Sequence, residues 1–233
     1  MSQIPGFNCL MANDQQMKIL ILGASQGTGL HAVRMAVGNG HEVTAVARNV
    51  SSITLENGSS QDKHDNLKVV RGDVLVPSSF ESEMEGKDVV ISSIGVSNTK
   101  PTTLYSEGMT NIIDAMAKYD VPRLICISGL GVEVTPGMSL PLKLLTKFIV
   151  QPLLRNNFSD LLKMEDMVKQ SDLNWTIVRA PRLTDGPLTG RYRSAANDYL
   201  RNPLSIRRSD LAHFVVNNID NRKHFCARVE IAY

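Results

Sequence analysis

Six short runs of apolar, largely β-branched residues recur along the chain, and amphipathic or polar stretches separate them. They cover residues 18–23 (KILILG), 41–47 (HEVTAVA), 67–70 (LKVV), 88–94 (DVVISSI), 123–127 (RLICI) and 174–179 (NWTIVR). Runs this short and this continuously apolar predict strands buried on both faces. Between the first two, residues 30–37 have helical character and stop at Gly38-Asn39-Gly40, a C-cap and turn signal. Residues 110–118 place Ile112, Ile113 and Met116 on one helical stripe. Strands alternating with helices imply parallel pairing through right-handed crossovers. The expected fold is therefore a single α/β domain: a doubly wound parallel sheet with helices on both faces. Residues 49–66 are polar, Ser-rich and aperiodic, which predicts a surface connection.

Residues 136–170 break the rhythm. They hold Pro136, Pro141 and Pro152 and the run LKLLTKFIV at 142–150, in which Leu142, Leu145, Phe148 and Ile149 share a helical face opposite Lys143 and Lys147. The stretch reads as an apolar helical segment packed on the sheet. It also has the character of an apolar lid over a substrate pocket. A membrane-surface helix is the weaker reading, because only Lys143 and Lys147 supply a basic face.

Composition narrows the class. The chain has 233 residues, a length common for one α/β domain. Hydrophobic residues at 42% and charged residues at 21% exclude a disordered, collagen-like or coiled-coil chain. Lys plus Arg is 25 against 23 Asp plus Glu, a formal charge of +2, which gives no footprint for nucleic acid. No apolar run approaches the ~18 residues of a membrane span, so stable insertion is not expected. Cys9, Cys126 and Cys226 are too few and too scattered for a disulfide framework or a zinc site, which predicts reduced thiols and a cytoplasmic setting. Residues 1–16 are polar, without the basic-then-apolar order of a secretory signal, and are expected to be a disordered extension of a domain spanning 17–233.

The most informative punctuation follows the first strand: Gly23-Ala24-Ser25-Gln26-Gly27-Thr28-Gly29. Glycines are needed where the chain turns sharply and where a pyrophosphate must approach the backbone. A loop between a first strand and a first helix also aims the helix's free N–H groups at the phosphates. The spacing G-x-x-x-G-x-G differs from the G-x-G-x-x-G fingerprint, and Ser25 and Gln26 bring side chains that can bond phosphate or ribose. About 20 positions past the loop, an acidic residue would bind the ribose 2′-hydroxyl of NAD. Here the chain has Ala47-Arg48-Asn49, with no carboxylate until Glu56. A guanidinium grips a 2′-phosphate in a fork, so Arg48 predicts NADP, with NADPH preferred over NADH. The remaining cofactor contacts are expected where strands end: Asp73 and Val74, then Ser93, Ile94 and Gly95, then Ser128, then Pro181. Asp73 could accept from an adenine amino group or serve instead as an N-cap or turn residue.

Ser128, ending the fifth strand, is the candidate catalytic residue, able to bond a substrate carbonyl or hold a proton-donating water. As a strand-end serine it could equally cap backbone groups. A Tyr-x-x-x-Lys pair is absent: four positions after Tyr105, Tyr119, Tyr192 and Tyr199 come Met109, Arg123, Ala196 and Pro203. None of His31, His41, His64, His213 and His224 sits at a strand C-terminus with a carboxylate partner, and no nucleophile elbow or P-loop lysine occurs, which argues against hydrolase and metal chemistry.

With these residues in view, the chain resembles the atypical short-chain dehydrogenase/reductases with an NAD(P)H-binding (NmrA-like) domain, and within them the flavin-reductase-like branch. The similarity spans residues 18–213 and is most specific in PTTLYSEGMTNIIDAM (101–116), SDLNWTIVRAPRL (171–183) and DGPLTGRYR (185–193). The resemblance implies a one-domain Rossmann fold, NADPH, hydride transfer to a planar conjugated acceptor of flavin, quinone or tetrapyrrole type, and a monomer or weak homodimer. It also implies that Arg48 holds the 2′-phosphate and that Ser128 lies near the nicotinamide. Its glycine spacing and its longer, more apolar 136–170 segment set this chain apart within the group. Two other activities fit the same motifs: a non-catalytic NADP(H) redox sensor, and an isomerase or dehydratase with tightly bound NADP.

Overall fold

The first strand explains the layering. In the computed structural model, which describes residues 16–53 and 65–233, β1 (Lys18–Leu22) sends Ile19 and Ile21 to one face and Leu20 and Leu22 to the other, all fully buried. A strand apolar on both faces needs a layer on each side. After β1 come α1 (Gly27–Gly38), β2 (Glu42–Ala47), β3 (Leu67–Arg71), β4 (Val89–Ser92), α2 (Leu104–Lys118) and β5 (Arg123–Gly129). The helical stretch α3 (Leu140–Leu145), a π-helical turn (Thr146–Val150), α4 (Gln151–Leu153) and α5 (Arg155–Gln170) follows, then β6 (Asn174–Ala180). The chain closes with β7 (Arg182–Thr184), β8 (Arg193–Ala196), β9 (Ser205–Arg207), α6 (Arg208–Val216) and β10 (Ala227–Ala232).

The sheet runs β3-β2-β1-β4-β5-β6-β10-β8; every neighbouring pair is parallel except β10 and β8, which are antiparallel. One face is covered by α1 (Ala32, Val33, Ala36) and α6 (Leu211, Ala212, Phe214). The other is covered by α2 (Met109, Ile112, Met116) and α5 (Leu161, Met164, Val168). Packing, not capping, holds α2. Its N-cap Thr103 makes no side-chain cap bond, while Met109, Ile112 and Met116 are fully buried at roughly 1.5–3 kcal/mol each. The helix α1 stops where expected, with Asn39 N–H bonded to Met35 O and Gly40 at φ +82°.

The fold is the expected doubly wound α/β sheet, and all six expected strands are present. Four more appear. Three of them, β7, β8 and β9, are only three or four residues long, too short for alternation to be read. The fourth, β10, contains Glu230, a fully buried carboxylate that disguises a core strand. The connection over 49–66 begins with a 3₁₀ turn at Val50–Ser52, and residues 54–64 lie outside the described residues. The expected N-terminal extension over 1–16 also lies outside them, apart from Gln16.

The 136–170 segment is helical, but only part of it packs as expected. The helix α5 lies on the sheet against α2 through Leu161, Met164 and Val168. Residues 140–153 instead turn their apolar side outward: Leu145, Phe148 and Ile149 are exposed and Leu142 is half-buried. The reason is local. This stretch lies beyond the C-terminal end of β5, where the sheet has ended. It is fastened by polar contacts, with Gln151 Nε2 donating to Gly131 O and Val132 O at 3.2 Å.

Strand order reverses between β1 and β4, the place where open α/β sheets leave a crevice beyond their strand ends.

Candidate functional site

The glycine loop is built by close approach. Gly23 turns the chain at φ +78°, and a Cβ there would lie 2.5 Å from Ser93 O at the end of β4. A Cβ on Gly29 would lie 2.2 Å from Gly23 O, so the first turn of α1 rests directly on the loop. No other residue fits at either position. Gln26 is the extended N-cap of α1 (φ −160°, ψ 171°), and its side chain does not cap the helix. The first-turn N–H groups therefore lack that acceptor, at the helix end that attracts negative charge. Thr28 adds a second sign: it is 6% exposed, and its Oγ1 is buried with no hydrogen-bond partner among the described residues. Buried hydroxyls rarely stay unpaired, so this one marks a place for a polar ligand group.

A cleft of about 890 Å³ opens above this loop along the C-terminal ends of the strands. Its walls include Gly23, Ser25, Gln26, Gly27, Thr28, Arg48, Asp73, Val74, Ser93, Ile94, Gly95, Ser128 and Pro181. Gly29 sits beneath it, supporting the loop. The structure thus brings every residue expected from the sequence to one place. Arg48 stands exposed at the end of β2 with no ion pair among the described residues, and the neighbouring Asn49 caps the following turn through Ser51 N–H at 3.2 Å. Asp73 serves a turn: its Oδ1 accepts from Leu75 N–H at 3.0 Å, and its own N–H donates to Ser79 Oγ at 2.9 Å. Its Oδ2 has no partner among the described residues.

Ser128 belongs to a buried ionic cluster. Its hydroxyl donates to Glu165 Oε1 at 2.7 Å. Arg179 grips the same carboxylate in a fork, Nε to Oε1 at 2.8 Å and Nη2 to Oε2 at 2.6 Å, and sends Nη1 to Glu133 Oε2 at 2.5 Å. Ser128, Glu165 and Arg179 are at most 4% exposed. Burial works against the Arg179 charge, but the bonds and fields of the two carboxylates outweigh it and raise its pKa. The Arg179 bond in turn holds the Glu133 carboxyl below its usual range. The cluster fixes the ends of β5 and β6 to α5. Because the Ser128 proton points to Glu165, Ser128 offers the cleft an accepting oxygen rather than a donated proton.

Among the other residues that line the cleft, Tyr105 and Arg208 carry polar groups that the sequence did not single out. Tyr105, from α2, is 8% exposed and accepts from Val96 N–H at 3.2 Å; burial raises its pKa, so the phenol keeps its proton at neutral pH. Tyr105 falls inside the distinctive 101–116 stretch, and that was its only signal. Arg208 opens α6, bonds Asp185 Oδ1 at 2.8 Å and passes its side chain over the loop, Cδ 3.2 Å from where a Gly27 Cβ would stand. Nothing in the local sequence marks Arg208, since α6 reaches the loop only through the tertiary fold. Just behind it, the fully buried Asp210 ties down the loop after β7 by accepting from Thr189 N–H, Gly190 N–H and Tyr233 Oη.

Comparison with known proteins agrees with this geometry. The NAD(P)H-binding family matches residues 23–222, and the chain belongs to that family. An uncharacterized chloroplastic protein of Arabidopsis thaliana is 27% identical over 190 residues, 78% of this chain. The curated relatives at this identity are longer, and the chain spans 48 to 65% of their length. Among solved structures, a Veillonella parvula short-chain dehydrogenase/reductase in complex with NADP superposes with a TM-score of 0.77 at 17% identity, over 94% of this chain and 95% of that one. ChuY, an anaerobillin reductase from Escherichia coli O157:H7, gives 0.71 at 20% identity, over 92% and 96%. These likenesses establish the fold, a Rossmann-type α/β domain.

Proposed function

We propose that this protein is an NADPH-dependent reductase of a planar conjugated acceptor of the flavin, quinone or tetrapyrrole type. The observation that carries the reading is the pairing, in one cleft, of a phosphate cradle whose buried Thr28 hydroxyl has no partner among the described residues with Arg48 exposed at the end of β2. The first turn of α1, Thr28 and Arg208 supply donors for a pyrophosphate, and Arg48 suits a 2′-phosphate. Bound NADPH would supply a hydride. The chain's own part is to position and to manage protons. Ser128 is held by Glu165 as an acceptor on the wall, and Tyr105 keeps a buried phenolic proton on the same wall. The structural neighbour ChuY is an anaerobillin reductase, which supports a reductase over other chemistries of this fold. The test is NADPH oxidation by the purified protein with FMN, a series of quinones and biliverdin. Turnover on any of them is expected; none on all would sink the reading.

A second reading, a non-catalytic NADP(H) redox sensor, is favoured by one observation. The Ser128 hydroxyl is engaged with Glu165, and no Tyr-x-x-x-Lys pair exists. It requires partner binding that differs between NADP- and NADPH-loaded protein.

A further inference from the structure

The stretch from α3 to α4 presents an apolar stripe to solvent. Leu140, Leu144, Leu145, Phe148, Ile149 and Leu153 are 45 to 69% exposed. Their spacing holds them on one side of the helix, and the wider π turn at Thr146–Val150 carries the stripe on to Leu153. The inner side is mixed: Thr146 is buried, Gln151 donates to the backbone after β5, and Leu142, Val150 and Leu154 are half-buried. The larger share of the apolar surface therefore faces out, unlike a helix packed on a core. The charges are equally one-sided. Residues 134–159 contain no Asp or Glu, and their only charged side chains are Lys143, Lys147 and Arg155. Among the described residues no helix is long and apolar enough to cross a membrane.

We propose that this face docks on an anionic lipid surface, with the apolar stripe at the boundary of headgroups and acyl chains and the three cations among the phosphates. An amphipathic helix lying in the interface needs both properties. A second copy of the chain suits the face less well. In a two-fold contact both apposed faces would carry these cations, and neither segment would bring an acid to balance them. An anionic bilayer satisfies both the stripe and the charges.

The experiment is flotation of the purified full chain with vesicles of phosphatidylcholine containing phosphatidylglycerol, and with phosphatidylcholine alone. The protein should float with the anionic vesicles and should lose most of that binding in high salt. Phe148→Glu with Ile149→Glu should reduce flotation at least about tenfold, and Lys143→Glu with Lys147→Glu should reduce it by about fivefold per lysine. The Phe148/Ile149 pair should leave the thermal unfolding midpoint near wild type, because both side chains are exposed. Phe148→Trp should show a blue-shifted emission on adding the anionic vesicles. Absence of flotation, flotation unchanged in the double variants, or equal binding to neutral vesicles would each overturn the proposal. Sedimentation equilibrium without lipid gives a further test: a dimer that the Phe148/Ile149 variant dissolves would assign the face to a second copy instead.

Discussion

The helix α2 and the stretch from α3 to α4 both carry an apolar stripe at helical spacing, yet they meet opposite surroundings. Met109, Ile112 and Met116 are fully buried against the sheet, whereas Leu140 and Phe148 are 69% and 64% exposed. The difference lies in what stands opposite. The α2 stripe faces Leu20, Leu22, Val90 and Leu124, apolar on that side because the sheet strands are apolar on both. The α3–α4 stretch lies past the end of β5, where backbone carbonyls of Gly131 and Val132 receive a glutamine amide. Periodicity therefore establishes that a helix has an apolar face; the neighbour decides whether that face is core or interface.

The sharpest way to break this contrast is at the buried end of the segment. Glu165→Ala should lower the unfolding free energy by about 3–5 kcal/mol, because it leaves the Arg179 guanidinium buried with only the half-exposed Glu133 as a partner. A urea titration reads this; a loss below about 1 kcal/mol would mean that the cluster relaxes without cost. Next, Ile112→Ala in α2 should cost about 2–5 kcal/mol by the same measurement, since it opens a cavity in the core. Phe148→Ser on the outward stripe should change stability by no more than about 0.5 kcal/mol, despite removing a larger side chain. A loss of core size at Phe148 would show that the face is covered within the folded monomer.

Two buried carboxylates extend the comparison to pH. Asp210 and Glu230 are both fully buried, and burial alone would raise both pKa values. At Asp210, the bonds from Tyr233, Gly190 and Thr189 outweigh burial and lower it. At Glu230, Oε1 has no hydrogen-bond partner among the described residues and the pKa stays raised by burial. The signs follow. Asp210 contributes stability above its unfolded value of about 3.9 and loses it as pH falls through the lower folded value. Glu230 does the reverse, losing its contribution as pH rises above the unfolded value of about 4.3. Asp210→Asn should therefore flatten the acid limb of stability against pH, measured by thermal unfolding from neutral to pH about 3. An unchanged acid limb would show that Asp210 gains nothing from its donors.

Much of the cleft was legible in the sequence because its parts follow a positional rule: in a doubly wound sheet, residues at strand C-termini meet at the crevice. Gly23, Arg48, Asp73, Ser93, Ser128 and Pro181 could be placed by finding strand ends alone. Tyr105, Arg208 and Glu165 could not. They come from α2, α6 and α5, and their approach depends on how those helices pack. Ser128 looked open to a substrate because its partner Glu165 lies 37 residues away. Likewise β10 was hidden by Glu230, whose backbone contact, Leu200 N–H at 2.8 Å, is also distant in sequence.

The proposed NADPH preference rests on Arg48, and titrating NADPH and NADH against wild type and Arg48→Glu by fluorescence tests it most directly. A charge-assisted bond of about 1.5–3 kcal/mol predicts roughly 10- to 100-fold tighter binding of NADPH by the wild type. The substitution should remove that preference while leaving NADH binding nearly unchanged. Equal affinity for the two nucleotides in the wild type, or an equal loss of both in Arg48→Glu, would contradict it.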